Sequence, residues 1–184
     1  MRPLADLIRP YSLEEVVGQK HLIGEGQILR KLIEVGHIPN LIFYGPSGTG
    51  KTTLANIIAR MSNKKIHKLN ATEANTADIK EVIQSIHTLE GSNGILLYLD
   101  EIQNFNKKQQ QSILKYIETG EITLIASTTE NPYFTIFSAI LSRSTILEFK
   151  SLTVGDVVEG LKRGADLVFD EFFIHPFTIE EGAL

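Results

Sequence analysis

Four stretches of the chain are apolar at consecutive positions and then stop at polar or turn-forming residues. They are Leu41-Ile42-Phe43-Tyr44 before Gly45-Pro46, Ile95 to Leu99 before Asp100-Glu101, Ile122 to Ala126, and Thr145 to Phe149. Short runs without alternation fit strands buried on both faces. Lys65 to Leu69 is a weaker fifth candidate. Between these runs the period changes. Ile79, Val82, Ile83, Ile86 and Leu89 fall at helical spacing, which predicts an amphipathic helix capped by Thr76. Gln109 to Ile117 carries a shorter helical period, and Thr53 to Arg60 reads as a further helix. Ser12-Leu13-Glu14-Glu15 is a capping-box pattern that predicts a short helix, and Thr153 predicts the cap of a helix through about Val168. Strands alternating with helices predict an α/β chain whose five-stranded parallel sheet is covered by helices.

Composition narrows the class. A chain of 184 residues makes one domain, with room for an appendage. With 42% hydrophobic and 22% charged residues, disordered and fibrous classes are excluded. The absence of Cys excludes a disulfide framework, Cys-ligated zinc and thiol catalysis. The five His, at positions 21, 37, 67, 87 and 175, show no metal-ligand spacing. No apolar run approaches the ~20 residues of a membrane span, and the first ten residues lack an apolar signal core, so the expectation is a cytoplasmic protein away from membranes. The net charge is −4, but residues 151–184 hold two basic and seven acidic side chains, which leaves residues 1–150 one charge positive. That shift sets a boundary near 150. It also leaves the main body without a domain-wide basic signature for nucleic acid.

The first candidate chemistry follows the first apolar run. Gly45-Pro46-Ser47-Gly48-Thr49-Gly50-Lys51-Thr52 fits the phosphate-loop spacing G-x-x-x-x-G-K-[ST], between a buried strand and the helical run that begins at Thr53. Such glycines let backbone N–H groups converge on phosphate oxygens, the lysine reaches the β- and γ-phosphates, and the threonine hydroxyl ligates Mg²⁺. A plain strand-to-helix turn has no use for Lys-Thr at its end. Asp100-Glu101 ends another apolar run, where an open α/β sheet meets its ligand. Asp100 can hold the Mg²⁺ shell while Glu101 orients or deprotonates water. Ser127-Thr128-Thr129 ends a third run, either sensing a γ-phosphate or forming a hydroxyl-rich turn. Arg143 precedes the last strand.

Taken together, these residues resemble the AAA+ ATPases, and among them the RarA (MgsA) family, related to Werner-helicase-interacting ATPases and clamp loaders. The resemblance rests on Arg9-Pro10, Val17 to Leu22, Asn40 to Gly48, Leu99 to Ile102, Phe105-Asn106-Lys107, Gln109-Gln110, Ile122 to Ile125, Thr128 to Pro132 and Ser138 to Arg143. It implies a three-layer P-loop NTPase core over 1–150, with 1–40 as an adenine-contacting segment and 151–184 as the start of a small helical lid. It implies ATP and Mg²⁺ as ligands, with the base contacted around Ile8, Arg9, Pro10, Val17, Gly18 and Gln19. Thr128 would be the first sensor with Thr129 as substitute, Asn70 would gate Glu101, and Arg143 would be an arginine finger acting on a neighbour in a homo-oligomer. DNA at stalled forks or gaps and single-stranded-DNA-binding protein are the partners it implies. Two departures stand out. Gln103-Asn104 occupies the place of an expected His-Arg, and a second-sensor Arg is absent before Leu184, so hydrolysis by this chain alone is expected to be weak. A nucleotide-binding chain with negligible turnover and a P-loop kinase are the competing readings.

Overall fold

The computed structural model describes residues 8–62, 64–88 and 94–172. Leu89, assigned above to a helical period, and residues 173–184 of the expected lid lie outside the described residues. Five strands form one parallel sheet: β1 (Leu41–Tyr44), β2 (Lys65–Asn70), β3 (Ile95–Asp100), β4 (Ile122–Thr128) and β5 (Thr145–Glu148). Their order is β2-β3-β4-β1-β5, with Leu41 beside Ile125 on one side and Thr145 on the other. The five-stranded parallel α/β fold expected from the sequence is therefore the fold found. Because every strand is parallel, all five C-terminal ends share one edge, and the polar ends of β1, β3 and β4 meet there.

The consecutive apolar runs are explained by the two faces of the sheet. Leu96 and Tyr98 point to one face, with Phe43, Leu54, Ile58 and Phe149. Leu97 and Leu99 point to the other, with Ile42, Ile79, Ile113 and Leu124. A central strand must be apolar at every position when helices cover both sides. β2 is an edge strand and is only half-buried, which is why Lys65 and Lys68 are tolerated there.

The larger helices are α3 (Lys51–Met61), α4 (Thr76–Ile86), α5 (Lys107–Glu118) and α8 (Val154–Phe172), with shorter α1 (Lys20–Ile23), α2 (Ile28–Glu34), α6 (Pro132–Thr135) and α7 (Ser138–Leu141). Two expectations need correction. The cap of α4 is Asn75, with Thr76 inside the helix: Asn75 accepts from the Ala77 amide and its own N–H is taken by Asp78. The reciprocal carboxylate lies three residues beyond Asn75, whereas Thr76 faces Ile79 at that spacing. Ser12 to Glu15 forms a single turn and no helix. Its carboxylates are used elsewhere, Glu15 on the Tyr11 amide and Arg163, Glu14 on Arg30. The chain then turns through left-handed Gly18 and Gln19. Thr153 does cap α8, paired reciprocally with Asp156, and that helix continues to Phe172.

α8 packs on the N-terminal segment through two glycines. A Cβ at Gly160 would meet Val17 at 3.5 Å, and one at Gly164 would meet Ile8 at 3.4 Å. No helix among the described residues is long and apolar enough to cross a membrane.

Candidate functional site

The loop after β1 owes its shape to a close backbone approach. The Phe149 amide donates to the Tyr44 carbonyl (2.7 Å), which brings the Phe149 carbonyl to within 2.2 Å of where a Cβ on Gly45 would sit. Gly45, at φ +145°, is the one residue type that fits. Beyond it, the Thr49 hydroxyl closes the loop onto the Pro46 carbonyl (2.8 Å), and left-handed Gly50 starts α3. Among the described residues, a Cβ on Gly48 or Gly50 would meet nothing within 4 Å, so the loop presents bare backbone. The α3 N-terminus adds its unpaired N–H groups and the positive end of its dipole.

Lys51 is buried at the first position of α3, and its ammonium donates to the carbonyls of Gly45 (2.7 Å) and Pro46 (2.8 Å). Burial lowers its pKa, opposed by the carboxylates of Glu101 and Asp100. Lys51 lines a cavity of about 320 Å³ together with Ser47, Gly48, Gly50, Thr52, Thr53, Asp100 and Glu101. A second cavity of about 330 Å³ shares Gly48, Gly50 and Thr53 with it, so the two form one cleft. Its far end is walled by Ile8, Arg9, Pro10, Val16, Val17 and Leu152, with Arg163 at the side. Arg163 donates to the Ile8 carbonyl (2.6 Å) and to Glu15 (3.2 Å), which fastens α8 to that wall. A cavity of about 500 Å³ lies around His37, Asn40 and Lys64, at the opposite end of the strands. Parallel α/β sheets take ligands at the C-terminal ends of their strands, which favours the cleft over that larger space.

A hydrogen-bonded relay joins the two halves of the cleft. The Tyr98 hydroxyl lies 3.0 Å from Thr52 Oγ1 and 3.0 Å from Ser127 Oγ, and Ser127 donates in turn to Asp100. Tyr98 and Ser127 are buried, and burial raises the Tyr98 pKa, keeping its phenol protonated. In the sequence Tyr98 stands inside an apolar run and Ser127 at a hydroxyl-rich strand end, with nothing that joins the two. The signal was present, since a hydroxyl inside an otherwise apolar run needs a partner when buried. A hydroxyl and a carboxylate held this way suit Mg²⁺, which takes a few protein oxygens and completes its shell with water and phosphate.

The remaining expected site residues fall in different places. Gln19 is buried, and its side-chain amide bonds to Thr49 and Lys150 backbone instead of lining the cleft; Gly18 packs on Leu152 beside it. Thr128 is fully buried with its hydroxyl accepting from the Glu130 amide (3.0 Å), while the Thr129 hydroxyl faces Glu101 Oε2 at 3.4 Å. The Asn70 side chain accepts from Thr72 N–H and hydroxyl. Glu101 is instead held by Gln103, whose Nε2 donates to Oε2 at 2.6 Å. Arg143 lies after α7, away from the cleft. Its guanidinium pairs with Glu118 (2.6 Å) and donates to the Ala139 carbonyl (2.9 Å), and Asn40 holds its backbone carbonyl (3.2 Å).

The chain is 43% identical over 165 residues to the replication-associated recombination protein A of Haemophilus influenzae, covering 89% of this chain and 37% of that protein. It is 41% identical over 162 residues to the ATPase WRNIP1 of Dictyostelium discoideum, covering 88% and 18%. The chain thus spans little more than a third of the first relative and less of the second. Among solved structures, the RuvB Holliday junction branch migration motor of Thermotoga maritima matches with a TM-score of 0.72 at 30% identity, covering 88% of this chain and 55% of that one. The ATPase family associated with various cellular activities (AAA) matches residues 41–152. That span takes in all five strands, the phosphate loop and the Asp100-Glu101 pair, and the chain is a member of the AAA family.

Proposed function

We propose that this chain binds ATP with Mg²⁺ in the cleft and hydrolyses it, as the nucleotide-driven part of a replication-associated recombination protein that works on DNA. The observation that carries this is the convergence of Lys51, Thr52, Asp100 and Glu101 on one cavity at the C-terminal edge of the sheet. The bare loop and the α3 N-terminus bind the phosphates, and Lys51 neutralises the β- and γ-phosphate charge. Thr52 and Asp100 would hold Mg²⁺, and a bound ion there would supply charge neutralisation for the phosphates. Glu101 orients the attacking water and accepts its proton. Thr129 lies near enough to Glu101 to share in ordering that water. The apolar wall of Ile8, Pro10, Val17 and Leu152 receives the base.

Arg143 serves a neighbouring copy's nucleotide, since it is on the surface and outside its own cleft. The DNA setting is supported by the names of the relatives. With a balanced body, the chain contacts DNA through few phosphates and therefore weakly.

The test uses Lys51→Ala and Glu101→Gln. Lys51→Ala should abolish ATP binding in calorimetry. Glu101→Gln should bind ATP as the parent does but turn it over ~10²–10⁴-fold more slowly. Unchanged affinity in Lys51→Ala would refute the phosphate site. Turnover equally negligible in parent and Glu101→Gln, with binding intact, would leave a nucleotide-binding chain without hydrolysis.

A further inference from the structure

We propose that Gln103 is the positioning residue for Glu101, holding the carboxylate toward the cleft in the work assigned above to Asn70. The inference rests on the ATPase reading of the same site.

Glu101 sits at φ +52°, a left-handed conformation uncommon for a side chain of its size, and it starts a short 3₁₀ turn, Ile102–Asn104. The turn is anchored by Ile102, which is fully buried, and is closed onto Glu101's own carbonyl by the amide and the side chain of Asn104. This geometry brings the side chain of residue 103 back beside that of residue 101. Gln103 Nε2 then donates to Glu101 Oε2 at 2.6 Å, a short charge-assisted bond. Chemistry fixes the orientation of the amide, because an ionised carboxylate only accepts and the amide oxygen would be repelled from it.

The other end of the same amide gives the second observation. Gln103 Oε1 is buried and has no hydrogen-bond partner among the described residues. An amide kept for stability would satisfy both ends, and leaving a buried carbonyl oxygen unpaired is unfavourable. The arrangement is understandable if the N–H contact to Glu101 is what the residue is for. Thr129 lies 3.5 Å from Gln103 Nε2 and 3.4 Å from Glu101 Oε2, so the three side chains close a small polar ring at the ends of β3 and β4. Asn70, next to Asp100 in the sheet register, directs its oxygen to Thr72 instead.

Gln103→Met keeps the length of the side chain and removes the donor. In the full chain it should lower kcat about tenfold, the size expected when one hydrogen bond to a charged group is lost, with KM for ATP unchanged. In a Glu101→Gln background the same substitution should change turnover little, because the carboxylate it serves is gone. Unchanged or faster turnover in Gln103→Met, or an equal loss in both backgrounds, would overturn the proposal. A second measurement does not depend on turnover. In ¹⁵N-labelled protein, the Gln103 side-chain amide signal should move in Glu101→Ala, and a signal that stays in place would overturn the contact itself. If Glu101→Gln alone leaves turnover intact, the ATPase reading fails. If Glu101→Gln slows turnover and Gln103→Met does not, the inference about Gln103 alone fails.

Discussion

Tyr98→Phe removes one oxygen atom from the centre of the site while keeping the ring that packs the core. Tyr98 is 3% exposed and Ser127 is fully buried, so water cannot replace the lost hydroxyl at Ser127. Thr52 is less buried and can regain a water partner. Each neutral hydrogen bond contributes ~1 kcal/mol net, and an unsatisfied buried partner costs ~1–3 kcal/mol. Ser127 keeps its bond to Asp100, which limits the second figure. The expected loss is about 2 kcal/mol of stability, or about 4–8 °C in Tm for a chain of this size. Thr52 and Asp100 also lose the bridge that orients them toward one metal, and losing such an outer partner commonly weakens metal affinity ~10–100-fold. Thermal unfolding without nucleotide gives the first quantity. The Mg²⁺ concentration at half-maximal nucleotide-dependent fluorescence gives the second, and it should rise by at least about tenfold. A variant with the parent's Tm and Mg²⁺ requirement would refute the relay. A lower Tm with an unchanged Mg²⁺ requirement would confine it to packing.

In an assembling full-length protein, Arg143→Ala should leave ATP affinity intact and cut turnover, since an arginine finger is worth ~10³–10⁵ in rate. Mixing Arg143→Ala with Glu101→Gln subunits should restore part of the activity, and no recovery despite confirmed co-assembly would make Arg143 a surface charge bound to Glu118. His67 offers a pH test. Its Nε2 lies 2.8 Å from Ser85 Oγ, whose proton goes to Val82, so the neutral ring donates from Nε2. Burial, with Lys65 adding to it and Glu81 opposing, holds its pKa below 6.5. The unfolded chain therefore takes up this proton first, and stability present above pH 6.5 is lost as the pH falls below it. In urea denaturation His67→Gln, which keeps a donor and cannot titrate, should reduce the stability difference between about pH 7.5 and about pH 5.5, and an unchanged difference would rule the ring out.

The sheet was legible because β1, β3 and β4 are covered on both sides, a burial that leaves mostly apolar positions along each run. β2 was harder, since a half-buried edge strand admits Lys65, His67 and Lys68 into what would otherwise be an apolar run. The phosphate loop and Asp100-Glu101 could be found because each is contiguous in the chain. Contacts assembled from separate elements could not be. Tyr98, Ser127 and Thr52 come from β3, β4 and α3, and their hydroxyls meet only once the strands are in register. Ser12 to Glu15 misled for a related reason, because the partners that draw Glu14 and Glu15 away, Arg30 and Arg163, belong to distant helices. The site around Glu101 was half legible: the two-residue spacing to Gln103 was visible, but the left-handed turn that makes it a contact was not.

The placing of β1 between β4 and β5 has a consequence for how the protein comes apart. The phosphate loop is pinned on one side by the Gly45 amide on Thr128 and on the other by the Phe149 amide on Tyr44, while Gln19 clips Thr49 to Lys150. β5 is an edge strand, the part of a sheet that frays first. Here it cannot peel away without also releasing the loop that grips phosphate. Edge fraying and ligand loss become one event, and a nucleotide at about a hundredfold excess over its Kd would brace that edge by ~2.7 kcal/mol against opening.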